Sequence, residues 1–384
     1  MKIDTEQIIY LDNAATTQLD DEVLAEMMPF YSVHYGNPSS IHTSGIKTRV
    51  AIEQARKSIA SLLGVKPHTI IFTSGGTESN NLAVLAGIRD FGCASLITSK
   101  IEHPSVINAS NYYTRHFGIG IKYVKLESDG SIDLEDFERL LEASSGNGKK
   151  CLVSLMHANN EIANITDISG IDSICKKYGA FFHSDCVQTI GHYPLNLDEL
   201  GMDIATASAH KFHGPKGIGF LYVREGSSLK PLIWGGDQER KFRAGTENVS
   251  GIVGMAKAMR LFHERFERVQ CQINDLKKYF IEQLKQNFPG LIINGGSSAL
   301  YSVLSVSFPK EGLSENFLFQ LDQNGICVSV GSACSGGNSH VMEELGRTQD
   351  YVTIRFSFSK YNTNDEINKV VETLIMMVNH KFQI

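Results

Sequence analysis

The 384-residue sequence has no apolar run of the length that a membrane span needs, about 18 residues or more. Its first residues, Met1-Lys-Ile-Asp-Thr-Glu, lack the apolar core of a secretory signal peptide. Its seven cysteines form no C-x-x-C pair, and an odd number does not suit a disulfide framework. We therefore expect a protein of a reducing compartment, the cytoplasm, that does not bind a membrane.

Basic charge is not in excess either. The 36 Lys and Arg residues are outnumbered by 42 Asp and Glu residues, which gives a net charge of −6. A general nucleic-acid surface needs the opposite balance, so we expect no direct nucleic-acid contact. The sequence also has no P-loop, no G-x-G-x-x-G motif and no internal repeat. The composition, 42% hydrophobic and 20% charged, is typical of a globular protein.

Strand-like and helix-like segments alternate through the first two thirds of the chain. Strands are predicted at 69–73, 95–98, 121–126, 151–156, 180–184, 203–207 and 218–223. Helices are predicted at 20–32, 39–63, 78–91, 105–117, 134–143 and 168–178. Continuous apolar strands separated by helices indicate an α/β fold with a mostly parallel central sheet that helices cover on both faces.

The last third of the chain has a different pattern. A long helical stretch, 248–287, is followed by an α+β pattern of shorter segments. Its strands are predicted at 302–308, 326–330 and 352–356, and its helices at 314–323, 340–345 and 365–379. Because the chain is long for one core, we predict a large cofactor-binding domain, 15–255, and a small α+β domain, 256–384 together with 1–14.

Lys211 stands just after the strand at 203–207, in a turn rich in glycine and proline. In open α/β sheets, ligands gather at the carboxyl ends of the strands. A lysine whose pKa is depressed there can act as a Schiff-base nucleophile. A single lysine in a turn is more often a solvated surface residue than a catalytic one. The motifs elsewhere in the chain therefore decide between these two interpretations.

Three further motifs also follow predicted strands. Ser74-Gly-Gly-Thr stands at the start of a helix, where backbone N–H groups could bind a phosphate. The alternative is a capped helix start with no ligand. His103 precedes a proline, which favours an extended backbone that can place the ring over a flat ligand; a hydrogen-bonded structural histidine is the alternative. Asp185 ends a strand and could pair with a pyridinium nitrogen, or serve as a cap or ion-pair partner. With Lys211, these motifs together indicate a pyridoxal-phosphate site.

Cys334 lies in a run of small residues, 330–338, in the predicted small domain. Such a run suits an accessible loop, where a thiolate can act as a nucleophile. We expect the other six cysteines to be packed in the core. No metal site is expected, because His210 and His213 lack a third ligand at a suitable spacing.

With these residues, the chain resembles the cysteine desulfurases, which belong to the class V aminotransferase group of pyridoxal-phosphate enzymes with the type I fold. The resemblance covers nearly the whole chain and rests on motifs in a fixed order. They are Tyr10-Leu-Asp-Asn-Ala-Ala-Thr-Thr, Gly36-Asn-Pro-Ser-Ser-Ile-His, Gly76-Thr-Glu-Ser-Asn-Asn, Glu102-His-Pro, Asn159-Asn-Glu-Ile, Asp185-Cys-Val-Gln, Ser208-Ala-His-Lys, Arg243-Ala-Gly-Thr-Glu-Asn, Gly331-Ser-Ala-Cys-Ser and Ile354-Arg-Phe-Ser.

The resemblance implies a role for each matching residue. Lys211 would hold the cofactor as a Schiff base and then transfer the α-proton of the substrate, Asp185 would pair with the pyridine nitrogen, and His103 would stack on the ring and take part in catalysis. Other cofactor contacts would come from Gly76, Thr77, Asn160, Gln188, Ser208, His210 and, from the neighbouring subunit of a homodimer, Thr246. Arg355 and Asn13 would bind the substrate, with Arg355 on its carboxylate.

The implied reaction converts L-cysteine to L-alanine and leaves the sulfur on Cys334 as a persulfide. The sulfur would pass to an acceptor protein, either an iron–sulfur scaffold or a thiolation enzyme. The one metal contact that the resemblance allows is a transferred iron–sulfur cluster at Cys334. A selenocysteine lyase or another class V lyase is the alternative enzyme. A non-catalytic scaffold would be expected to have lost Lys211, Asp185 or Cys334, and all three are present.

The sequence departs from the family pattern in three places. Gly76 stands where alanine is usual, and Ala163 stands where glycine is usual. Twenty residues separate Cys334 from Arg355, fewer than in the long-loop members whose Ser-Ala-Cys motif this chain matches. We expect a changed turn at Ala163 and a shorter tether for Cys334.

Overall fold

A seven-stranded sheet lies at the centre of the larger part of the molecule. The structure is a computed structural model and describes residues 8–227, 229–231, 233–310, 317–330 and 339–379. The strands are β1 (Ile9–Tyr10), β2 (Ile70–Thr73), β3 (Cys93–Thr98), β4 (Gly120–Tyr123), β5 (Lys150–Ser154), β6 (Phe181–Asp185), β7 (Ile204–Ser208), β8 (Gly219–Val223), β9 (Ile292–Ile293), β10 (Val303–Pro309), β11 (Ile326–Cys327) and β12 (Tyr351–Ser357).

Helices cover the sheet and join the two parts of the chain. They are α1 (Asp21–Met27), α2 (Pro29–Ser32), α3 (Thr43–Leu62), α4 (Gly76–Arg89), α5 (Pro104–Phe117), α6 (Leu134–Glu142), α7 (Ile168–Tyr178), α8 (Leu197–Leu200), α9 (Val249–Asn287), α10 (Phe317–Gln323), α11 (His340–Glu344) and α12 (Asn364–Asn379). Among the described residues, no helix is both long enough and apolar enough to cross a membrane.

The central sheet has the strand order β2-β8-β7-β6-β5-β3-β4. Strands β7, β6, β5, β3 and β4 are parallel to one another, whereas β8 runs antiparallel to both β7 and β2. The predicted α/β class with a mostly parallel sheet is confirmed. Strand β8 runs antiparallel to β7, with residues 209–218 between them; a parallel arrangement would need a crossover of about a dozen residues or more, usually with a helix.

The carboxyl ends of β6 and β7 therefore lie at the same edge of the sheet. Strand β6 ends at Asp185 and strand β7 at Ser208, and both strands are buried along their whole length. Their register pairs Asp185 with Thr206. The local order of strands thus places the aspartate beside the turn that carries the lysine.

The smaller part of the molecule has its own sheet, in the order β12-β10-β9, with antiparallel pairing. Strand β1 pairs in parallel with β11, so the start of the chain lies against the last third. Helix α9 is 39 residues long and packs Ile252 in the first core and Phe280 in the second. The predicted domain limits, 15–255 and 256–384 with 1–14, stay a prediction.

Several boundaries differ from the sequence prediction for identifiable reasons. The helix predicted at 20–32 is divided into α1 and α2 at Met28, where Pro29 begins the second helix. Proline has no N–H and is well accommodated at a first helical position. Helix α3 begins at Thr43 instead of Ser39, since His42 acts as its N-cap and accepts a hydrogen bond from Gly45 N.

Candidate active site

A polar cavity of about 230 Å³ opens at the carboxyl ends of β6 and β7. Most of the residues singled out in the sequence line it. The lining consists of Ala14, Ala15, Gly76, Thr77, Asn80, His103, Ser105, Met156, Asn160, Asp185, Val187, Gln188, Ser208, His210, Lys211 and Arg355. Ten positions predicted from widely separated motifs therefore meet in one cavity.

Lys211 ends a single 3₁₀ turn, Ala209–Lys211, that follows β7 directly. Its Nζ donates to the backbone oxygens of Ala14 and Ala15, at 2.6 and 2.8 Å. The turn is also tied to the same loop, because Thr17 N donates to the oxygen of His210 at 2.9 Å. The loop that follows β1 thus fixes the position of the lysine.

Asp185 is buried on the floor of the cavity and its two carboxylate oxygens have different partners. Oδ2 accepts a hydrogen bond from Asn80 Nδ2 at 2.7 Å, and Oδ1 accepts one from Val187 N at 3.0 Å. Asn80 is held in turn by Thr206, whose hydroxyl donates to Asn80 Oδ1 at 2.8 Å. The carboxylate is therefore oriented from two sides and keeps acceptor capacity for a third donor.

His103 is the N-cap of α5 and stands on the wall of the cavity. Its Nδ1 accepts a hydrogen bond from Ser105 N at 3.1 Å and lies 2.7 Å from Ser105 Oγ. Burial lowers the pKa of His103, Lys211 lowers it further, and Asp185 opposes the shift. The ring is therefore neutral at neutral pH, with Nδ1 as an acceptor, which suits an apolar contact with a flat ligand.

The start of α4 forms a narrow cradle at the other side of the cavity. Gly75, the N-cap, has φ of 150°, and a Cβ at Gly76 would lie 2.9 Å from Val187 Cγ2. Since that distance is too short for a methyl group, glycine at position 76 lets the backbone approach the segment after β6 closely. The free N–H groups of the first turn make this cradle suitable for an anion.

Arg355 on β12 reaches the cavity from the smaller part of the molecule. Its side chain is 2% exposed, and its Nη1 donates to the backbone oxygen of Asn160 at 3.0 Å. Its Nη2 forms an ion pair with Asp12 Oδ1 at 2.7 Å. Gln188, whose Nε2 donates to Ala14 O at 3.2 Å, also lines the cavity.

His210 completes the cavity wall beside the lysine. Its Nδ1 lies 3.2 Å from Thr16 Oγ1. Burial, followed by the charges of Lys211 and Lys216, lowers the pKa of His210 to about 4. It is therefore a neutral hydrogen-bonding group at neutral pH, and it can donate to an anion only through a ring N–H.

Glu102 is a wholly buried carboxyl next to this site. Its Oε1 accepts a hydrogen bond from Met156 N at 2.9 Å. Burial, with a smaller contribution from Asp185, raises the pKa of Glu102 well above its usual range. The site around Glu102 therefore favours the neutral carboxyl over a second negative charge beside Asp185.

Three predicted site residues are not on this cavity in the described chain. Asn13 is turned towards backbone, donating to Ser357 O at 2.8 Å, and lines an adjacent cavity. Thr246 lines a separate cavity with Arg243 and Glu247. Cys334 lies outside the described residues. The roles assigned to these three residues stay predictions. The expectation that the other six cysteines are all packed in the core is wrong, since Cys271 is exposed on α9.

The sequence interpretation missed Asn80 and Asp12. Asn80 lies in the quoted motif after Gly76, four residues further along α4, so helical spacing places it on the same face as the cradle. Asp12 lies in the quoted motif after β1, but nothing in a single sequence indicates that it meets Arg355, 343 residues later.

Taken together, the cavity fits a planar ligand that carries an anionic group and a ring nitrogen. The glycine cradle that a Cβ would fill is suited to the anion, Asp185 to a protonated nitrogen, and neutral His103 to a ring face. Lys211 supplies an amine on the same cavity. Pyridoxal phosphate has this combination of groups.

Comparison with known proteins agrees with this geometry. A family model described as aminotransferase class-V matches residues 9–370. The cysteine desulfurase IscS of Dictyoglomus turgidum is 42% identical over 375 residues, which cover 95% of this chain and 93% of that protein. A solved NifS-like protein superposes with a TM-score of 0.88 at 37% identity, covering 97% of this chain and 100% of that one. The structure of SspA in complex with cysteine has a TM-score of 0.79 and 32% identity, covering 92% of this chain and 99% of that one.

Proposed function

The chain belongs to the class V aminotransferase family as one of its cysteine desulfurases, and we propose that the residues of the cavity at the ends of β6 and β7 carry out the conversion of L-cysteine to L-alanine. The observation that carries this proposal is the meeting of Lys211, Asp185, His103 and Arg355 on one cavity. The four residues come from four different elements of the fold.

The cavity would hold pyridoxal 5′-phosphate, with Lys211 as the residue that binds it covalently. The cradle at Gly76 and Thr77, with Ser208 and His210, would hold the phosphate, and His103 would pack against the ring. Asp185 would keep a proton on the ring nitrogen, while Asn160 and Gln188 would bind ring substituents. When bound, the cofactor withdraws electrons from the α-carbon of an amino-acid substrate.

Arg355 binds the carboxylate of L-cysteine, since a guanidinium can donate two parallel hydrogen bonds to a carboxylate. The amine of Lys211 takes up the α-proton of the substrate at Nζ. The carbonyl oxygens of Ala14 and Ala15 stabilise that nitrogen when it is protonated, because they already accept hydrogen bonds from it. His103 remains neutral and is available for proton transfer at its second ring nitrogen.

Cys334 accepts the sulfur. Its thiolate forms an S–S bond with the substrate sulfur while the C–S bond breaks, the carbon that carried the sulfur takes up a proton, and Lys211 returns a proton to the α-carbon. The products are L-alanine and a persulfide on Cys334, with no external oxidant or reductant. The sulfur then passes to an acceptor protein, either an iron–sulfur scaffold or a thiolation enzyme.

The active form is a homodimer, with Thr246 reaching the phosphate of the neighbouring subunit. Apolar side chains on α2 and the segment after it support this assignment, since Tyr35 is 76% exposed and Ile41 is 89% exposed. Trp234, on a separate segment, is 75% exposed. Exposed apolar groups of this size are typical of surfaces that a partner covers. The compartment that we expect is the cytoplasm.

Replacement of Lys211 tests the proposal. Lys211→Ala should lack the visible absorbance of lysine-bound pyridoxal phosphate and form no alanine from L-cysteine. The matched control is Lys216→Ala, an exposed lysine of the same turn, which should retain both. Alanine formation by Lys211→Ala at the parent rate would show that the assigned lysine is wrong.

A further inference from the structure

The ion pair between Asp12 and Arg355 has no role in the proposed reaction. Asp12 Oδ1 lies 2.7 Å from Arg355 Nη2, and the two side chains are 18% and 2% exposed. Arg355 Nη1 donates to Asn160 O at 3.0 Å. Arg355 Nε has no hydrogen-bond partner among the described residues. The guanidinium assigned to the substrate carboxylate thus already binds a carboxylate of the chain.

This arrangement has a physical reason in the free protein. A buried guanidinium without an anionic partner is strongly unfavourable, because the desolvation of its charge is not compensated. Asp12 supplies that compensation as long as no substrate is present. Backbone oxygens, such as that of Asn160, can bind the N–H groups but carry no negative charge.

The same pairing must oppose substrate binding. When the carboxylate of an amino acid reaches Arg355, two anions share one cation whose side chain is buried. Like charges a few Å apart repel each other more strongly there than in water. Either the Asp12 side chain moves away from Arg355, or the substrate carboxylate binds beside the negative charge of Asp12. In both cases the substrate is bound less tightly than it would be without that charge.

The backbone around Asp12 is anchored independently of its carboxylate. Asn13 Nδ2 donates to Ser357 O at 2.8 Å, and Ala14 N donates to Ser357 Oγ at 2.8 Å. Within the described part of the chain, Arg355 is the only hydrogen-bond donor to the Asp12 carboxylate. The side chain can therefore leave Arg355 by rotation alone, without displacing the loop that holds Lys211.

We propose that Asp12 is a placeholder for the substrate carboxylate, a positioning residue that pairs with Arg355 in the free enzyme and yields it to the carboxylate of L-cysteine. This inference rests on the proposed function, because it takes Arg355 as the carboxylate site. Its consequence is specific: the negative charge of Asp12 weakens the binding of the amino acid.

The test is the affinity of the holoenzyme for L-alanine, the product, which has the same carboxylate but no sulfur to transfer. Calorimetry on Asp12→Asn should give a Kd about tenfold lower than the parent value, the order expected for one charge-assisted hydrogen bond. The KM for L-cysteine should fall with it, without a rise in kcat. Asp21→Asn, which removes one exposed charge from α1, should leave both values unchanged.

If Asp12 had only a structural role, its replacement could only weaken the binding of L-alanine. The direction of the change in Kd therefore distinguishes a placeholder from a structural residue. An unchanged or raised Kd in Asp12→Asn would overturn the placeholder. Should Asp12→Asn not fold, Asp12→Ser removes the same charge and carries the same expectation.

Arg355→Gln separates this inference from the proposed function. If Arg355→Gln weakens L-alanine binding while Asp12→Asn does not tighten it, the placeholder is wrong and the proposed function stands. If Arg355→Gln leaves L-alanine binding unchanged, the carboxylate does not bind at Arg355, and both fail.

Discussion

Asn80 should determine how tightly the protein holds pyridoxal phosphate, although it was not assigned from the sequence. Its Nδ2 donates to Asp185 Oδ2 at 2.7 Å and to Ser105 Oγ at 2.8 Å. Its Oδ1 accepts from Thr206 Oγ1 at 2.8 Å. A hydrogen bond to a charged group contributes roughly 1.5–3 kcal/mol, so Asn80→Ala should weaken cofactor binding roughly 10- to 100-fold.

The assay is titration of the apo protein with pyridoxal phosphate, followed by the visible absorbance of the lysine-bound cofactor. Asn80→Asp should weaken binding further, because a second carboxylate beside Asp185 raises the pKa of the pair. Asn108→Ala, on the exposed face of α5, is the control and should match the parent. A Kd for Asn80→Ala within about twofold of the parent would refute the reasoning, since a tenfold loss is the least that such a bond predicts.

Three further predictions concern stability. Ala163 is buried with φ of 68°. In urea titrations, Ala163→Val should lower the free energy of unfolding by more than about 2 kcal/mol, whereas Ala163→Gly should change it by less than about 1 kcal/mol. Equal losses in the two variants would contradict this. Glu239, which pairs with Arg56 at 2.7 Å, is buried with φ of 45°. Glu239→Ala should cost about 3 kcal/mol, because it removes the buried carboxylate partner of Arg56 and leaves only the more exposed Glu53, at 3.2 Å. The exposed Glu225→Ala is the control, and an equal effect there would exclude the explanation. Burial lowers the pKa of His183 to about 4, below the value of about 6.5 in the unfolded chain. The unfolded chain therefore binds more protons than the folded chain below about pH 6.5. His183 should make the free energy of unfolding fall by roughly 2 kcal/mol between neutral pH and about pH 5. A His183→Gln variant whose free energy of unfolding falls as steeply with pH would contradict this.

Much of the fold could be predicted because its strands are continuous apolar runs. Strand β5 (Lys150–Ser154) and strand β7 (Ile204–Ser208) lie within or next to the predicted limits, and Asp185 ends its strand. The direction of a strand and the strand with which it pairs depend on contacts that a single sequence does not show. The antiparallel course of β8 and the pairing of β1 with β11 were therefore not predicted.

In the site, too, features with a local sequence signal could be predicted and features that depend on long-range contacts could not. Lys211, Asp185 and the Gly76 turn could be placed because the ends of parallel strands share an edge. The altered turn expected at Ala163 has a definite form, a left-handed alanine. By contrast, Asp12 acts through a contact between the first and last parts of the chain. Long-range pairing of this kind has no local signal.

The central claim is that Cys334 carries the sulfur. The most direct test is mass spectrometry of the holoenzyme after one turnover with L-cysteine. The parent, and Cys271→Ser, which alters an exposed cysteine of α9, should each gain one sulfur atom on Cys334. Cys334→Ser should gain none while keeping the visible absorbance of the bound cofactor. Parent-level sulfur transfer by Cys334→Ser would contradict the account.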